Sequence, residues 1–501
     1  MNRRSFLKTS AGLAGLAWVG DLTFLSKLRP VSAAEAKLPS KLVQLHPEIE
    51  PLVKLLEDSP RDRVLEEVAA RIKKGLSYQQ ILAALLLAGV RNIQPRPVGF
   101  KFHAVLVVNS AHIASLASPD QDRWLPIFWA IDAFKSSQAA DVREGDWAMG
   151  AIDESAIPSS HTAKQAFIEA MDNWDEAAAD VAIVGLARTA PAHEIFEILC
   201  RYGVRDFREI GHKQIYLANS FRTLEAIGWQ HAEPVLRSLA YAIIDRNGEQ
   251  NPAKADLSPD RPFRRNLELL KKINDGWRDG KPDPNATREM LASIRDGSDN
   301  DCADKVIELL NRGVSPQSIQ DAIFDGAGEL LMRAPGILSL HATTFTNAVH
   351  YAFNRCRDDW TRKLMLLQNA SFLPRFRGNS KDKGLHIDTM EPAAPEKSGP
   401  AAIEEIFADM TKDKLSAAKK ILAYLKDGGD TRSFADAARR LIFLKGSNSH
   451  DYKFSSAVLE DYAAMSPPWR DRYLAASAFY LKGSGDRDND LVKRIRAAVA
   501  A

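Results

Sequence analysis

Cysteine is scarce in this chain: three residues in 501, Cys200, Cys302 and Cys356. They stand far apart, and neither CxxC nor CxxCH occurs. That excludes thiolate zinc sites and covalently attached c-type haem. Three separately buried thiols are expected instead. An excess of charge of one sign is also missing, with 67 Lys and Arg against 65 Asp and Glu and a net charge of +2. No polyanion-binding field follows, so nucleic acid is not an expected partner. The short basic run Arg261-Pro262-Phe263-Arg264-Arg265 reads as a solvated loop. Beyond the N-terminus no long apolar run exists, so the mature chain should carry no transmembrane segment. Alternating apolar and polar runs with hairpin turns are rare, which argues against an extensive sheet. No P-loop, dinucleotide fingerprint or serine nucleophile elbow is present.

What is present begins at the N-terminus. Asn2-Arg3-Arg4-Ser5-Phe6-Leu7-Lys8 matches the twin-arginine export pattern. A short apolar stretch from Ser10 to Phe24 follows, interrupted by Gly12, Gly15 and Gly20. Small-residue cleavage sites follow Ala33 and Ala36, and no cysteine sits there to take a lipid. Residues 1–36 therefore read as a twin-arginine signal peptide, the export machinery as a partner, and the destination as periplasm or cell envelope. That route carries folded proteins, many loaded with a cofactor before export.

The mature chain has helical apolar spacing nearly throughout, as in Val64-Leu65-x-x-Val68-x-x-x-Ile72 and Ile195-Phe196-x-Ile198-Leu199. An all-α fold follows. Loops are expected at 141–160, 246–262 and 278–287, and a Pro-containing linker at 378–400. The stretch Asp325-Gly326-Ala327-Gly328-Glu329 reads as a helix break.

A repeat runs through these helices. His103 begins HAVLVVNSAH and His341 begins HATTFTNAVH, both reading His-Ala, four residues, Asn, two residues, His. His212 begins HKQIYLANSFR, and His450 begins HDYKFSSAVL, a decayed fourth copy. Trp124, His231, Trp360 and Trp469 follow at about 20 residues, each leading an apolar helix. We read four degenerate helical modules at 37–165, 166–277, 285–377 and 401–501. They would form an α-solenoid or a closed helical-repeat array, because units this small bury their faces on neighbours.

The repeat yields two groups of candidate residues. The leading histidines are His103, His212, His341 and His450. The second group holds the pairs Asn109 with His112, Asn219 with Arg222 and Asn347 with His350, each three apart and so on one helix face. His103 and His112 are nine apart, which puts them on opposite sides of a straight helix. The sharper expectation is that His112, His231 and His350 supply imidazoles to one pocket, with Asn109, Asn219 and Asn347 orienting them or a ligand. His103, His212 and His341 complete the candidate metal ligands, and Asn109, Asn219, Arg222 and Asn347 the candidate ligand-binding residues. Neutral imidazole suits Fe, Cu or Zn, or a non-covalent haem. The plainer expectation is that these polar residues cap helices and join modules. His193-Glu194-Ile195-Phe196-Glu197 is half of a zincin helix, with Glu197 where the second histidine would be.

At His-Ala-x4-Asn-x2-His the chain resembles the questin oxidase-like proteins over short stretches around His103, His231 and His341. That resemblance implies an all-helical, histidine-rich protein of oxidative ring-opening chemistry. The export signal and the four-module layout depart from that family. More closely, the chain resembles uncharacterised twin-arginine-exported all-α bacterial proteins, which implies no activity. The expected function is an exported metal- or haem-dependent oxidoreductase with a histidine-lined pocket between modules and a small-molecule ligand. The alternative is a non-enzymatic scaffold or ligand-binding protein of the cell envelope.

Overall fold

The computed structural model describes residues 42–244, 250–377 and 384–500. The signal peptide assigned to 1–36 lies outside these residues, as do 378–383 of the expected linker. The fold is all-α. Apart from the isolated bridge pairs Leu42 with Gly150 and Lys281 with Val314, no strand occurs among the described residues. None of their helices is long and apolar enough to cross a membrane.

Local chemistry starts these helices where the sequence offers it. Ser77 and Gln80 form a capping box on Tyr78–Asn92, and Ser298 and Asp301 form one on Asp299–Asn311. Pro284, Pro316, Pro400 and Pro467 each stand in a first turn, where the missing N–H is no loss.

Four helix segments form the centre: His103–Leu106 continuing into Val108–Leu116, His212–Ile227, Ile337–Arg355 and Ser449–Ala464. Their contacts run in a cycle, each packing on the next. The outer layer is built by the helices that begin at or beside the landmark residues: Leu125–Glu144, Ala232–Ile244, Asp359–Arg377 and Pro467–Ala476. Each packs on the central helix that precedes it. The C-terminal helix Leu491–Ala500 packs on Val64–Lys73, and Arg494 pairs with Glu66 there at 2.8 Å. The last described helix therefore meets one of the early ones.

Because outer helices surround them, the central helices are buried on nearly every face. His212–Ile227 buries Lys213, Gln214, Asn219, Ser220 and Thr223 along with its apolar residues. Interior polar groups then need partners of their own, since an unpaired one costs on the order of 2 kcal/mol or more. Lys213 pairs with Asp206 at 2.8 Å, and Tyr216 donates to Ser238.

Two expectations are corrected. Asp325 to Glu329 does not break a helix but lies inside the continuous Pro316–Arg333. Its glycines serve close packing: a Cβ at Gly326 would stand 2.8 Å from Ile294, and one at Gly328 would stand 3.3 Å from Tyr473. All three cysteines are free and buried, but Cys200 and Cys356 are neighbours, close enough that Cys356 adds to burial in raising the Cys200 thiol.

Candidate metal centre

Each central helix carries its leading histidine near its N-terminal end. His103 and His212 are first residues, His450 is second and His341 is fifth. The four rings converge. Nε2 of His212 stands 3.0 Å from Nε2 of His103 and 2.8 Å from Nε2 of His341. The ring of His450 lies 4.5 Å from that of His103 and 5.3 Å from that of His341, centre to centre. One donor nitrogen from each of His103, His212 and His341 falls within a sphere of mutual distances under 4.8 Å.

The outer nitrogens fix the tautomers. Nδ1–H of His103 donates to the Phe100 carbonyl at 2.8 Å, and Nδ1–H of His341 donates to the Ile337 carbonyl at 2.6 Å. In neutral rings, Nε2 of both is then a bare lone pair. His212 between them brings at most one Nε2 proton. Three nitrogens thus face one point with at most one proton among them.

The surroundings keep these rings neutral. Burial first, and then the Lys453 ammonium, hold His103, His212 and His341 well below the usual imidazole range. Burial followed by Lys453 brings His450 down to about 4. A neutral imidazole whose far N–H is tied to a carbonyl is the state in which histidine ligates metals.

The histidines form the floor of a pocket of about 550 Å3, walled by Phe100, Ile210 and Ile337. Two strained turns place that wall. Gly99 has φ +137° and Phe100 φ +45°, and Ile210 has φ +47° and Gly211 φ +83°. Left-handed backbone is uncommon for Phe and a genuine outlier for β-branched Ile. Close approach explains the glycines. A Cβ at Gly99 would lie 3.1 Å from His212 and 3.6 Å from His103, and one at Gly211 would lie 2.4 Å from Phe345.

No protein family, curated protein or solved structure matches the chain. The reading of the site therefore stands on its geometry.

A second polar layer lies deeper along the same axis. Asn109 donates to Asn219 at 3.5 Å, and Asn219 donates to the Leu106 carbonyl at 3.0 Å. Arg222 donates to Asn347 at 3.1 Å and to Glu460 at 2.7 Å, and Asn347 donates to Asp461 at 2.8 Å. Ser456 occupies the corresponding place on the fourth helix and donates to the Ser110 carbonyl. Asn109, Asn219, Arg222 and Asn347 thus meet, but they bond to one another, to main chain and to carboxylates, not to histidines. Histidines cluster at one level and asparagines at another, so the four central segments run in the same direction.

His112, His231 and His350 are not drawn into this centre. His112 meets the Tyr78 hydroxyl through Nδ1 at 2.9 Å. His350 packs on Phe324 and accepts from Asn354 at 3.2 Å, and burial brings it down to about 4. Both lie nine residues past a leading histidine, two and a half turns on, and so face outward to other helices. His231 closes the turn Trp229–His231 beyond its helix, with its ring 6.3 Å from that of His46.

Lys453 and His450 extend the candidate set. Lys453 stands one turn past His450, between the two layers, with 2% exposure. Among the described residues its Nζ has no hydrogen-bond partner, nor has Nε2 of His450 or Oδ1 of Asn109. Burial draws the lysine down to about 7. The repeat spacing pointed to His450. Lys453 shares its helix face with Ser449, His450, Ser456 and Glu460, so nothing in the sequence set it apart.

Proposed function

We propose that this chain is an exported metal-dependent oxidoreductase whose centre is held by His103, His212 and His341. The observation that carries this reading is the convergence of three Nε2 atoms at 2.8–3.0 Å steps, with the outer nitrogens of two rings donated to carbonyls. A small shift of the rings to about 3.3 Å separation suits tetrahedral ligation near 2.0–2.1 Å per bond. Neutral imidazole fits Fe, Cu, Ni or Zn. A haem iron takes axial ligands from opposite faces, so three adjacent nitrogens fit a single ion better. Redox chemistry is favoured because uncharged ligands in positive surroundings raise the potential of a bound ion, as replacing thiolate by imidazole does. His450 stands beside the three, its ring 4.5 Å from that of His103, but outside their cluster of donor nitrogens.

The same convergence supports four helical repeats closed around one axis. Each supplies a leading histidine, and at the next level an asparagine, or serine in the fourth. The cycle of contacts among the four central helices, and the packing of Leu491–Ala500 on Val64–Lys73, favour closure over an open solenoid. Export rests on the N-terminal sequence alone. A metal-free ligand-binding protein of the envelope is the second reading, supported by the apolar wall of the pocket.

The test is elemental analysis with an absorption spectrum of protein purified after export, from cells supplied with Fe, Cu and Zn. We expect about one equivalent of metal per chain, lost in His212→Ala and retained in His112→Ala. Fe or Cu would fit the oxidoreductase class, and Zn would redirect it to Lewis-acid chemistry. A wild-type protein that holds no metal would overturn the metal centre.

A further inference from the structure

The helix Ala192–Gly203 and the chain that leaves Ile337–Arg355 are pinned to each other around a pair of cysteines. Cys200 stands in the first, and Cys356 directly follows the second. Glu197 lies one turn before Cys200, on the same helix face. Its carboxylate accepts from the N–H groups of the two residues after Cys356, from Arg357 at 3.3 Å and from Asp358 at 2.6 Å. Arg201, next to Cys200, pairs with Asp358 at 3.2 Å and donates to the Thr361 hydroxyl at 3.1 Å. Cys356 is itself held through its backbone. Its N–H donates to the Ala352 carbonyl at 2.8 Å, and its carbonyl accepts from Arg362 at 2.6 Å. The two thiols are buried neighbours. Cys302 is buried elsewhere, with Ser293 at 3.6 Å from its sulfur.

The burial of Cys356 is shallow. Asn354, Arg355, Arg357 and Trp360 around it are exposed. Fraying of the last turn of Ile337–Arg355 therefore opens this thiol to solvent without unfolding the core.

We propose that Cys200 and Cys356 are a disulfide site, closed by exchange with a small or protein disulfide of the oxidising envelope. Cys356, at the helix end, gives up its proton and attacks one sulfur of that disulfide. A mixed disulfide forms, and the oxidant's other sulfur leaves as a thiolate. Cys200 then loses its proton and attacks the Cys356 sulfur, and the remaining sulfur of the oxidant leaves. The two cysteines give up two protons and two electrons, and the oxidant becomes two thiols. The compartment rests on the export reading in the proposed function, whereas the pairing requires neither export nor metal. The bond closes a loop that contains both His212 and His341. It ties the helix before the first to the end of the helix that carries the second. Closing a long loop stabilises the fold mainly by restricting the unfolded chain.

Peptide mapping by mass spectrometry tests this on the mature chain, residues 37–501. One preparation is taken from the envelope. A second is reduced, unfolded in urea and refolded with excess oxidised glutathione, where burial cannot block exchange. Free thiols are alkylated in denaturant before digestion. In both preparations we expect one alkylated cysteine, Cys302, and one cross-linked peptide joining Cys200 to Cys356. The oxidised chain should melt about 3–8 °C above the reduced one. Cys356→Ala should abolish that difference, and Cys302→Ala should keep it. Three alkylated cysteines in either preparation, a cross-link through Cys302, or an oxidised chain that melts no higher than the reduced one would overturn the proposal. Failure of the export reading would show instead in the compartment that holds the chain, and metal content enters neither measurement.

Discussion

Among the described residues, two places bring three metal-ligand side chains within 4.8 Å of one another, and they differ in what already occupies the donors. At the histidine floor, His103, His212 and His341 face each other with lone pairs, and the nearby cation is a lysine that does not bond to them. At the second place, Glu329, His386 and Asp388 are filled by guanidinium groups. Arg295 donates to Glu329 at 2.6 and 2.8 Å and to Asp388 at 2.7 Å. Arg333 pairs with Glu329 at 2.8 Å and approaches His386 Nδ1 at 3.2 Å. The Ile387 N–H adds a further donor to Glu329. Closeness of ligand types is therefore not a site. The histidine floor is short of positive hydrogen or metal to bind, whereas the carboxylate cluster is already neutralised by the fixed charge of two arginines.

The largest effect should separate these two places directly. His341→Ala should abolish bound metal, from about one equivalent to nearly none, while His386→Ala leaves it unchanged. Elemental analysis of the two variants reads this, and metal loss from His386→Ala would erase the distinction. The second effect runs the other way. Glu329→Ala leaves Arg295 and Arg333 facing each other, and breaking a buried ion pair on one side costs about 3–5 kcal/mol. Denaturant unfolding should show a loss of that size. Alanine at His212 should cost less than this, because the imidazole there neutralises no buried charge.

A third effect sharpens the view of the pocket wall. Gly99→Ala places a methyl 3.1 Å from His212 on backbone with φ +137°, where a side chain is strained whatever the space. We expect a loss of about 1–2 kcal/mol in stability together with weakened metal retention. Gly75→Ala has a positive φ as well, +97°, but nothing within 4 Å. It should cost stability alone, so comparing metal content in the two variants separates crowding of the histidines from backbone strain.

The comparison also shows what the sequence could tell. The all-α fold was legible, because helical apolar spacing and capping residues are local signals that tertiary packing here reinforces. The leading histidines were legible as a group, since they recur at the starts of helices at intervals of 109, 129 and 109 residues. Which nitrogens meet was not. The preference for His112 and His350 weighed their pairing with an asparagine above the nine-residue step that turns them away from the axis, and His231 came from the landmark position beyond its helix. Asn109, Asn219 and Asn347 do gather, but one level deeper than the imidazoles, where Asn109 meets Asn219 and Asn347 bonds to Arg222 and two carboxylates. The glycine-containing stretch at 325–329 was misjudged because glycine in a helix signals weakness only when nothing packs against it. Lys453 was missed for a different reason. A lysine one turn past a histidine is ordinary on a solvated helix, and its burial is a property of the four-helix centre.

The smallest effect tests the polar interior beside the arginine-filled cluster. Asp325 is fully buried, and neither carboxylate oxygen has a hydrogen-bond partner among the described residues. Burial first, and then the neighbouring Asp321, raise its proton affinity well above the carboxylate range. The folded state therefore holds this proton where the unfolded chain, with its carboxyl near 4, has released it. Stability from this group is fully present below that range and is lost as pH rises toward the raised folded value, by up to about 1.4 kcal/mol per pH unit. Asn at 325 keeps the shape and removes the proton linkage. Asp325→Asn should match the wild type in acid and exceed it by about 1–2 kcal/mol near neutrality, read as unfolding free energy against pH. A variant less stable than the wild type at neutral pH would mean that Asp325 is charged and matched, and the interior around Glu329 would then be a site in its own right.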